Sequence, residues 1–450
     1  MLAEFRVSNF RSFENEQVFS MEAGKVRNNL SRVYTDGKFK LLKFMAIYGA
    51  NASGKSNFLE AFAFAQEIIV TDIPKNAKND FCRVDEKNAG VPSHFEFTIK
   101  VGNSKYVYGF FMLISKGTIT REYLRQHKYG STYKTVFSRD VVSGNYEVDT
   151  YFKEPTLNDR LKIYAEDVCQ DGSVLFLRLM NQNKSGLYQS DSPINIYKDI
   201  YNWFKFKLSV NYPDRPVTSY SYLSDSDGVD KIGKLLHAFG TGISKFRIID
   251  IPLEKVLADV PEDVVEEMSN ALNEEKKYYE KSGISKIPSV VIRSLADNSM
   301  FFLNLKEDNI TCQTLEMEHE QTSAMFSLAE ESDGTVRLLD LIEVLLCRDT
   351  ERVYIIDEIN RRLHPLLTYN FVQQYLQLAE ERNIQLIVTT HESKLMDFDL
   401  LRKDEIGFVN KDETGRSAYY SMDSFGERFD KKVCKSYFEG KYGAIPQFKL

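Results

Sequence analysis

Gly49, Gly54, Lys55 and Ser56 fill the pattern G-x-x-x-x-G-K-[ST] inside the stretch Phe44-Met-Ala-Ile-Tyr-Gly-Ala-Asn-Ala-Ser-Gly-Lys-Ser-Asn-Phe-Leu-Glu60. The pattern constrains a fold only in context. Here the context is complete, because an apolar run from Phe44 to Tyr48 precedes it as a strand and a helix-forming run from Asn57 to Gln66 follows. Strand, glycine-rich turn and helix in that order make a phosphate-binding loop; an ordinary glycine turn would need neither flank. The glycines let successive N–H groups curl inward, and the helix adds the positive end of its dipole. The spacing predicts that Lys55 reaches the β- and γ-phosphates of a nucleotide and that the Ser56 hydroxyl ligates Mg²⁺. Gly49, Asn51, Ser53, Gly54, Lys55, Ser56 and Asn57 are the candidate nucleotide contacts, with ATP and Mg²⁺ the expected cofactors.

A nucleotide site of this kind needs carboxylates, and Val353-Tyr-Ile-Ile-Asp-Glu358 supplies two at the end of an apolar run. Such a run reads as a buried parallel strand whose carboxyl end faces the site. Asp357 is placed to hold Mg²⁺ through water and Glu358 to polarise the attacking water or take its proton. A buried strand can also end in Asp-Glu for structural reasons alone; Lys55 upstream favours the chemical reading.

The 450 residues suffice for two or three structural units with a large core. A net charge of −7 argues against gripping nucleic acid through bulk charge, although a local basic groove stays open, so DNA is optional. The five cysteines form no Cys-x-x-Cys pair and follow no signal-peptide pattern, which fits a reduced, cytoplasmic setting. No run approaches the roughly 18 to 20 apolar residues that cross a bilayer. No membrane partner segment is therefore expected in this chain.

Along the chain, Leu2 to Val7 and Val18 to Met21 read as a hairpin. Asp72 to Gly90 turns polar, and Phe95–Ile99, Tyr106–Ile114 and Thr118–Leu124 read as antiparallel strands. Val174–Met180, Ile194–Phe206, Val229–Phe239 and Val264–Ser282 look helical, the last highly charged. The expected fold class is α/β, a two-lobed P-loop NTPase with a largely helical insertion. Its expected divisions are an N-terminal lobe over 1–150, the insertion over 151–300 and a C-terminal lobe over 301–450.

Five further stretches carry a family resemblance. Asn9-Phe-Arg-Ser-Phe13 before the phosphate loop resembles the opening of ATPase heads of the RecF, structural-maintenance-of-chromosomes and overcoming-lysogenization-defect group. Glu330-Glu-Ser-Asp-Gly-Thr-Val-Arg-Leu-Leu-Asp-Leu341 resembles the ABC signature, in which a Ser-x-Gly core presents helix N–H groups to a γ-phosphate; Ser332 and Gly334 hold those places. Taken alone, it is a capped amphipathic helix. Gln385-Leu-Ile-Val-Thr-Thr-His391 ends where such heads carry a switch histidine, so His391 is a candidate γ-phosphate contact. The Leu363-His364-Pro365 phrase and the ending Tyr437 to Pro446 resemble ABC-type ATPases of the bacterial abortive-infection and overcoming-lysogenization-defect-like family. His364 either shapes the loop between sites or is structural, and Gln126 is one candidate for a Mg²⁺-contacting glutamine.

The resemblance implies a homodimer with ATP sandwiched between the Lys55 face of one subunit and the Ser332 face of the other, and with scope for a larger homo-oligomer. It further implies a sensor or switch in anti-phage defence that responds to a phage-derived trigger protein and controls a separately encoded effector such as a TOPRIM-type nuclease. The segment after His391 is too short for that nuclease domain. Two other readings stand beside it. A RecF-like DNA-repair ATPase predicts DNA-stimulated hydrolysis, and a nucleotide-gated scaffold predicts stable complexes with little turnover.

Overall fold

The computed structural model describes residues 1–37, 39–128, 130, 132–150, 155–188, 192–213, 226–258, 260–282, 287–294, 299–307, 309–426 and 433–445. The chain divides into two compact units. The first is Met1–Pro213 with Asp349–Ile359 and Leu376–Leu450; the second is Asp214–Arg348 with Asn360–Tyr375.

In the first unit, strands Phe44–Tyr48, Val353–Ile356 and Gln385–Thr389 are buried at every position. Strands with no polar face need cover on both sides, as in a parallel sheet. They lie in a six-stranded sheet ordered Leu208–Asn211, Val353–Ile356, Gln385–Thr389, Phe44–Tyr48, Ile406–Lys411 and Ser417–Ser421. All neighbours run parallel except the last pair, which is an antiparallel hairpin. The register sets Thr389 opposite Ile47 and Ile356 opposite Val388, so three carboxyl ends emerge level on one edge. Ligands of open α/β sheets bind at that edge.

A second sheet of the same unit is antiparallel, in the order Asn145–Val148, Tyr133–Asp140, Thr118–His127, Ser104–Leu113, Ser93–Val101, Leu2–Ser8 and Gln17–Ser20. The expected N-terminal hairpin is present, with Phe5 opposite Phe19. Helix Lys55–Val70 joins the two sheets through aromatic rings on two of its sides. The ring of Phe62 lies 3.9 Å from that of Phe5 and 5.9 Å from that of Phe97, edge-on, while Phe58 stacks on Tyr419 at 5.5 Å. Aromatic contacts of this kind add to simple burial, and here they fix the helix that begins at Lys55.

The region from 151 to 300, expected as one largely helical insertion, is divided between the two units. Helices Phe176–Asn181, Asn195–Asn202, Ser226–Ala238 and Glu262–Ser282 fall where the sequence places them. Helices Pro155–Asp167, Phe176–Asn181 and Asn195–Asn202 belong to the first unit, however, and strand Leu208–Asn211 enters its central sheet. A buried ion pair at 3.0 Å, Glu122 with Arg139, anchors this stretch. Glu122 accepts the N–H groups of Phe176 and Leu177, and Arg139 donates to the carbonyls of Val168, Asp171 and Val174.

Besides helices Ser226–Ala238, Glu262–Ser282 and Asp333–Leu346, the second unit holds an antiparallel sheet ordered Ile243–Ile251, Asn309–His319, Met300–Lys306 and Ser289–Arg293, with Met325–Ser327 paired to Asn309–His319. The strand Ile243–Ile251 gives no two-residue signal because its buried positions, Ile243 and Phe246, are three apart across a register shift. Residues 301–348 belong to this unit, not to the lobe that holds Asp357.

Replacing Phe62 by Ala is expected to cost about 3–5 kcal/mol through the cavity it leaves. Denaturant unfolding of the full chain, followed by a probe in the first unit, measures it. A loss under about 1 kcal/mol would show that the ring stack does not hold the helix.

Candidate functional site

The loop after Tyr48 turns on two residues with positive φ, Ala52 at 61° and Gly54 at 108°. Gly54 could not carry a side chain in any case, because an added Cβ would lie 2.5 Å from Ser417 Oγ and 2.9 Å from Ser12 Oγ. At Gly49 the same atom would lie 2.4 Å from the Val409 carbonyl and 2.5 Å from Ser53 Oγ. The loop therefore sits on a floor supplied by distant segments. Ser417 Oγ donates to the Ser53 carbonyl at 2.6 Å, Ser417 N–H donates to the Ser12 carbonyl at 2.8 Å, and Asn57 Nδ2 donates to Ser12 Oγ at 2.9 Å.

The Lys55 ammonium curls back on the loop and donates to the carbonyls of Gly49 at 2.9 Å and Ala50 at 3.1 Å. Only 6% of Lys55 is exposed, and burial pulls its pKa down to about 8, against the opposing pull of the Asp357 and Glu358 carboxylates. Ser56 Oγ donates to Asp357 Oδ2 at 2.8 Å, joining the loop to the carboxylate strand. Among the described residues, no group of three or more His, Cys, Asp and Glu side chains could by itself hold a metal ion. The hydroxyl and carboxylate pair is instead the sparse set suited to Mg²⁺, which keeps waters and takes further ligands from phosphate.

Strand Gln385–Thr389 lies between the loop strand and the carboxylate strand. Thr389 Oγ1 donates to Asp357 Oδ1 at 2.5 Å and accepts the Glu358 N–H at 2.8 Å. Glu358 has φ of 47°, which is uncommon for a residue with a Cβ. His391, two residues beyond Thr389, is at the exposed rim; partial burial, then the Lys55 charge, lower its pKa, while Glu358 and Asp357 oppose that shift. Lys55, Ser56, Asp357, Glu358 and His391 thus come together within the first unit.

Fit to a nucleotide rests on a further observation. Ser53 Oγ is buried and has no hydrogen-bond partner among the described residues. A buried hydroxyl left without a partner is costly, and this one lies in a loop shaped for phosphate oxygens. Asn51 is exposed beside it.

Ser332 and Gly334 lie in the second unit. Ser332 is the N-cap of helix Asp333–Leu346, with Oγ accepting from Thr335 N–H at 3.1 Å. An added Cβ on Gly334 would lie 3.1 Å from the Arg362 carbonyl, so this turn is closely packed. His364 has a local task, since its Nδ1 accepts from Leu366 N–H at 3.2 Å where helix Pro365–Leu378 starts. The Gln126 amide donates to Ser104 Oγ and Tyr106 OH on the neighbouring strand, each at 3.1 Å, rather than to loop residues. Sequence reasoning missed Ser12, Thr389 and Ser417. Ser12 lies inside the Asn9–Phe13 motif, and Thr389 stands two residues before a candidate histidine on a strand of full burial, whereas Ser417 carried no such signal.

A phosphate loop at the carboxyl edge of a parallel sheet, with Asp-Glu at the end of the next strand but one and a second, antiparallel sheet in the same unit, defines a P-loop fold of the ABC-ATPase type. Residues 44–140 and 197–397 match the family described as "AAA domain, putative AbiEii toxin, Type IV TA system". That is more than half of the chain and includes every candidate site residue, so the chain belongs to this family of P-loop ATPases. No curated protein matches it.

Solved structures similar to it include the SMC head bound to the C-winged helix domain of ScpA, at 12% identity and TM-score 0.44, covering 93% of this chain and 97% of that one. The SMC head domain from Thermotoga maritima matches at 11% identity and TM-score 0.36, covering 93% and 98%. The Pyrococcus furiosus SMC head with an extended coiled coil, bound to the C-terminal domain of ScpA, matches at 14% identity and TM-score 0.34, covering 98% and 99%. Among the described residues, no helix is long and apolar enough to cross a membrane.

Two outcomes follow for the loop. Gly54→Ala, strained by its φ and blocked by Ser417 and Ser12, is expected to weaken nucleotide binding by more than about tenfold while the circular dichroism spectrum is kept. Equilibrium binding of a fluorescent ATP analogue checks it, and unchanged affinity would refute the cradle. The second concerns Lys55. Its depressed pKa means that folding disfavours the ammonium below about pH 8, and that this penalty fades as pH rises toward the ordinary lysine value. Polyphosphate restores the charge, so nucleotide binding should take up protons near pH 9 and almost none near pH 7, with affinity falling as pH rises. Calorimetry in buffers of different ionisation heat reads the proton count; equal uptake at both pH values would contradict it.

Proposed function

We propose that the chain binds and hydrolyses ATP with Mg²⁺ and uses the cycle as a switch. The observation that carries this reading is the convergence of Lys55, the bonded pair Ser56 and Asp357, Glu358 and His391 at one sheet edge. Lys55 is buried with a spare positive charge and two loop carbonyls as its partners, an arrangement that exchanges readily for phosphate oxygens. Gly49 to Asn57 hold the phosphate chain by N–H groups and the Ser53 hydroxyl, and Asn51 contacts the nucleotide from the rim. Ser56 and Asp357 hold the cation, which when bound neutralises phosphate charge.

Glu358 receives a proton from water as the water oxygen bonds to the γ-phosphorus and the bond to ADP breaks. His391 donates a hydrogen bond to the γ-phosphate. Preorganised donors of this kind lower the barrier because charge spreads over the phosphoryl oxygens in the transition state.

Ser332 and Gly334 complete the site in trans. The N–H groups at the start of helix Asp333–Leu346 suit an anion, and in a two-fold homodimer each subunit's Ser332 face closes on the other's nucleotide. ATP is then part of the interface, and hydrolysis releases it. The family's description as a putative AbiEii toxin of a Type IV TA system and the motif order support a cytoplasmic anti-phage role, similar to the AriA subunit of the PARIS system. In that role the assembly responds to a phage-derived trigger and controls a separate effector, such as a TOPRIM-type nuclease.

Glu358→Gln is expected to lower phosphate release by about 10²–10⁴-fold while leaving ATP-dependent assembly intact. Mass in solution with and without Mg²⁺ and ATP, alongside phosphate release, decides between outcomes. Assembly that persists in the variant and relaxes as the wild type hydrolyses supports the switch. An unchanged mass with no hydrolysis in the wild type sinks it.

A further inference from the structure

We infer that Thr389 is a positioning residue that sets the metal-binding and water-activating carboxylates together, through one hydroxyl shared by Asp357 and the Glu358 backbone. The inference rests on the ATPase reading above and adds a determinant of how that site works. Thr389 is fully buried, and its hydroxyl has one hydrogen to give and lone pairs to accept. It spends the hydrogen on Asp357 Oδ1 and accepts the Glu358 N–H, while its carbonyl accepts Ile359 N–H at 3.0 Å. Three consecutive residues, Asp357 to Ile359, are therefore gripped by one residue of the adjacent strand.

Each contact has a separate consequence. With Oδ1 held by Thr389, Asp357 is fixed with Oδ2 on the Ser56 hydroxyl, which keeps side by side the two groups that would hold the cation. The bond to the Glu358 N–H, with that of Ile359, holds the turn at φ of 47°, a conformation that a residue with a Cβ leaves when unsupported. Backbone angle at this position decides where the Glu358 carboxylate points. On the other side of the same strand, Thr390 N–H donates to Ile47 carbonyl at 3.0 Å, tying it to the phosphate-loop strand. His391 follows directly. One dipeptide thus sets the spacing of phosphate loop, carboxylates and histidine.

A threonine kept for packing alone would be replaceable by valine, which has nearly the same shape with a methyl in place of the hydroxyl. The inference says otherwise. Groups that orient a metal ligand or a general base typically matter by about 10- to 100-fold. In the full-length chain, Thr389→Val should lower kcat for ATP by that factor with KM changed less than about threefold. It should also lose most of the gain in ATP-analogue affinity that Mg²⁺ brings. Thr389→Ser, which keeps the hydroxyl, should stay within about threefold of wild type on both readouts.

Thermal unfolding of both variants separates a packing defect from loss of the hydroxyl. Valine as active and as Mg²⁺-responsive as wild type overturns the inference, as does serine impaired to the level of valine. A wild type that binds the analogue without turnover leaves the Mg²⁺ readout to decide. A wild type that neither binds nor hydrolyses ATP removes the ATPase reading itself, and this inference with it.

Discussion

The placement of strand Gln385–Thr389 between Phe44–Tyr48 and Val353–Ile356 is the constraint on which the site depends. Parallel pairing on both sides brings the end of one strand level with the ends of two others. The phosphate loop, the two carboxylates and His391 each follow one of these ends. None of the three segments holds the site alone. Gln385 at the other end of the strand is fully buried, and its amide donates to the carbonyls of Leu2 and Leu42 while its oxygen accepts the Leu2 N–H. The strand is thus pinned at its start to the antiparallel sheet and at its finish to the turn that carries Asp357 and Glu358.

The same logic explains why the phosphate loop is well supported before any ligand arrives. Its helix is wedged by rings from both sheets, and its floor is made by Ser12 and Ser417, which lie far apart in sequence. Asn9-Phe-Arg-Ser-Phe13 thereby gains a physical task. Phe10 and Phe13 are buried, and the Ser12 carbonyl and hydroxyl hold the hairpin strand and Asn57. A loop that must offer several N–H groups to one anion benefits from being set beforehand, since little ordering remains to oppose binding.

Much of this was legible in the sequence, and the reasons are specific. The parallel strands are short runs without polar positions, and Gly54 is dictated by its backbone angle and the atoms around it. The N-terminal hairpin alternates from Ala3 onward. The sheet of the second unit was not legible, because its edge strand Ile243–Ile251 buries residues at irregular intervals and its helices carry most of the visible periodicity. Ser12 and Ser417 were hidden for another reason. A serine that supports a loop through its carbonyl or hydroxyl looks the same in sequence as one facing water, and only the sheet pairing shows where it lies. Thr389 had the better claim to notice, as a hydroxyl at the end of a strand with no other polar residue after Gln385.

The order of assembly also bears on synthesis. Strand Phe44–Tyr48 has neighbours only from Gln385–Thr389 and Ile406–Lys411. On a ribosome adding about 5–20 residues per second, that fully apolar strand waits tens of seconds for either edge to be covered. The helix and antiparallel sheet that follow it can gather early through their aromatic rings, but they leave its two edges bare. A chain built in this way is exposed to misassociation until residues 385–411 have been made, and that late segment acts as the clasp on the early one.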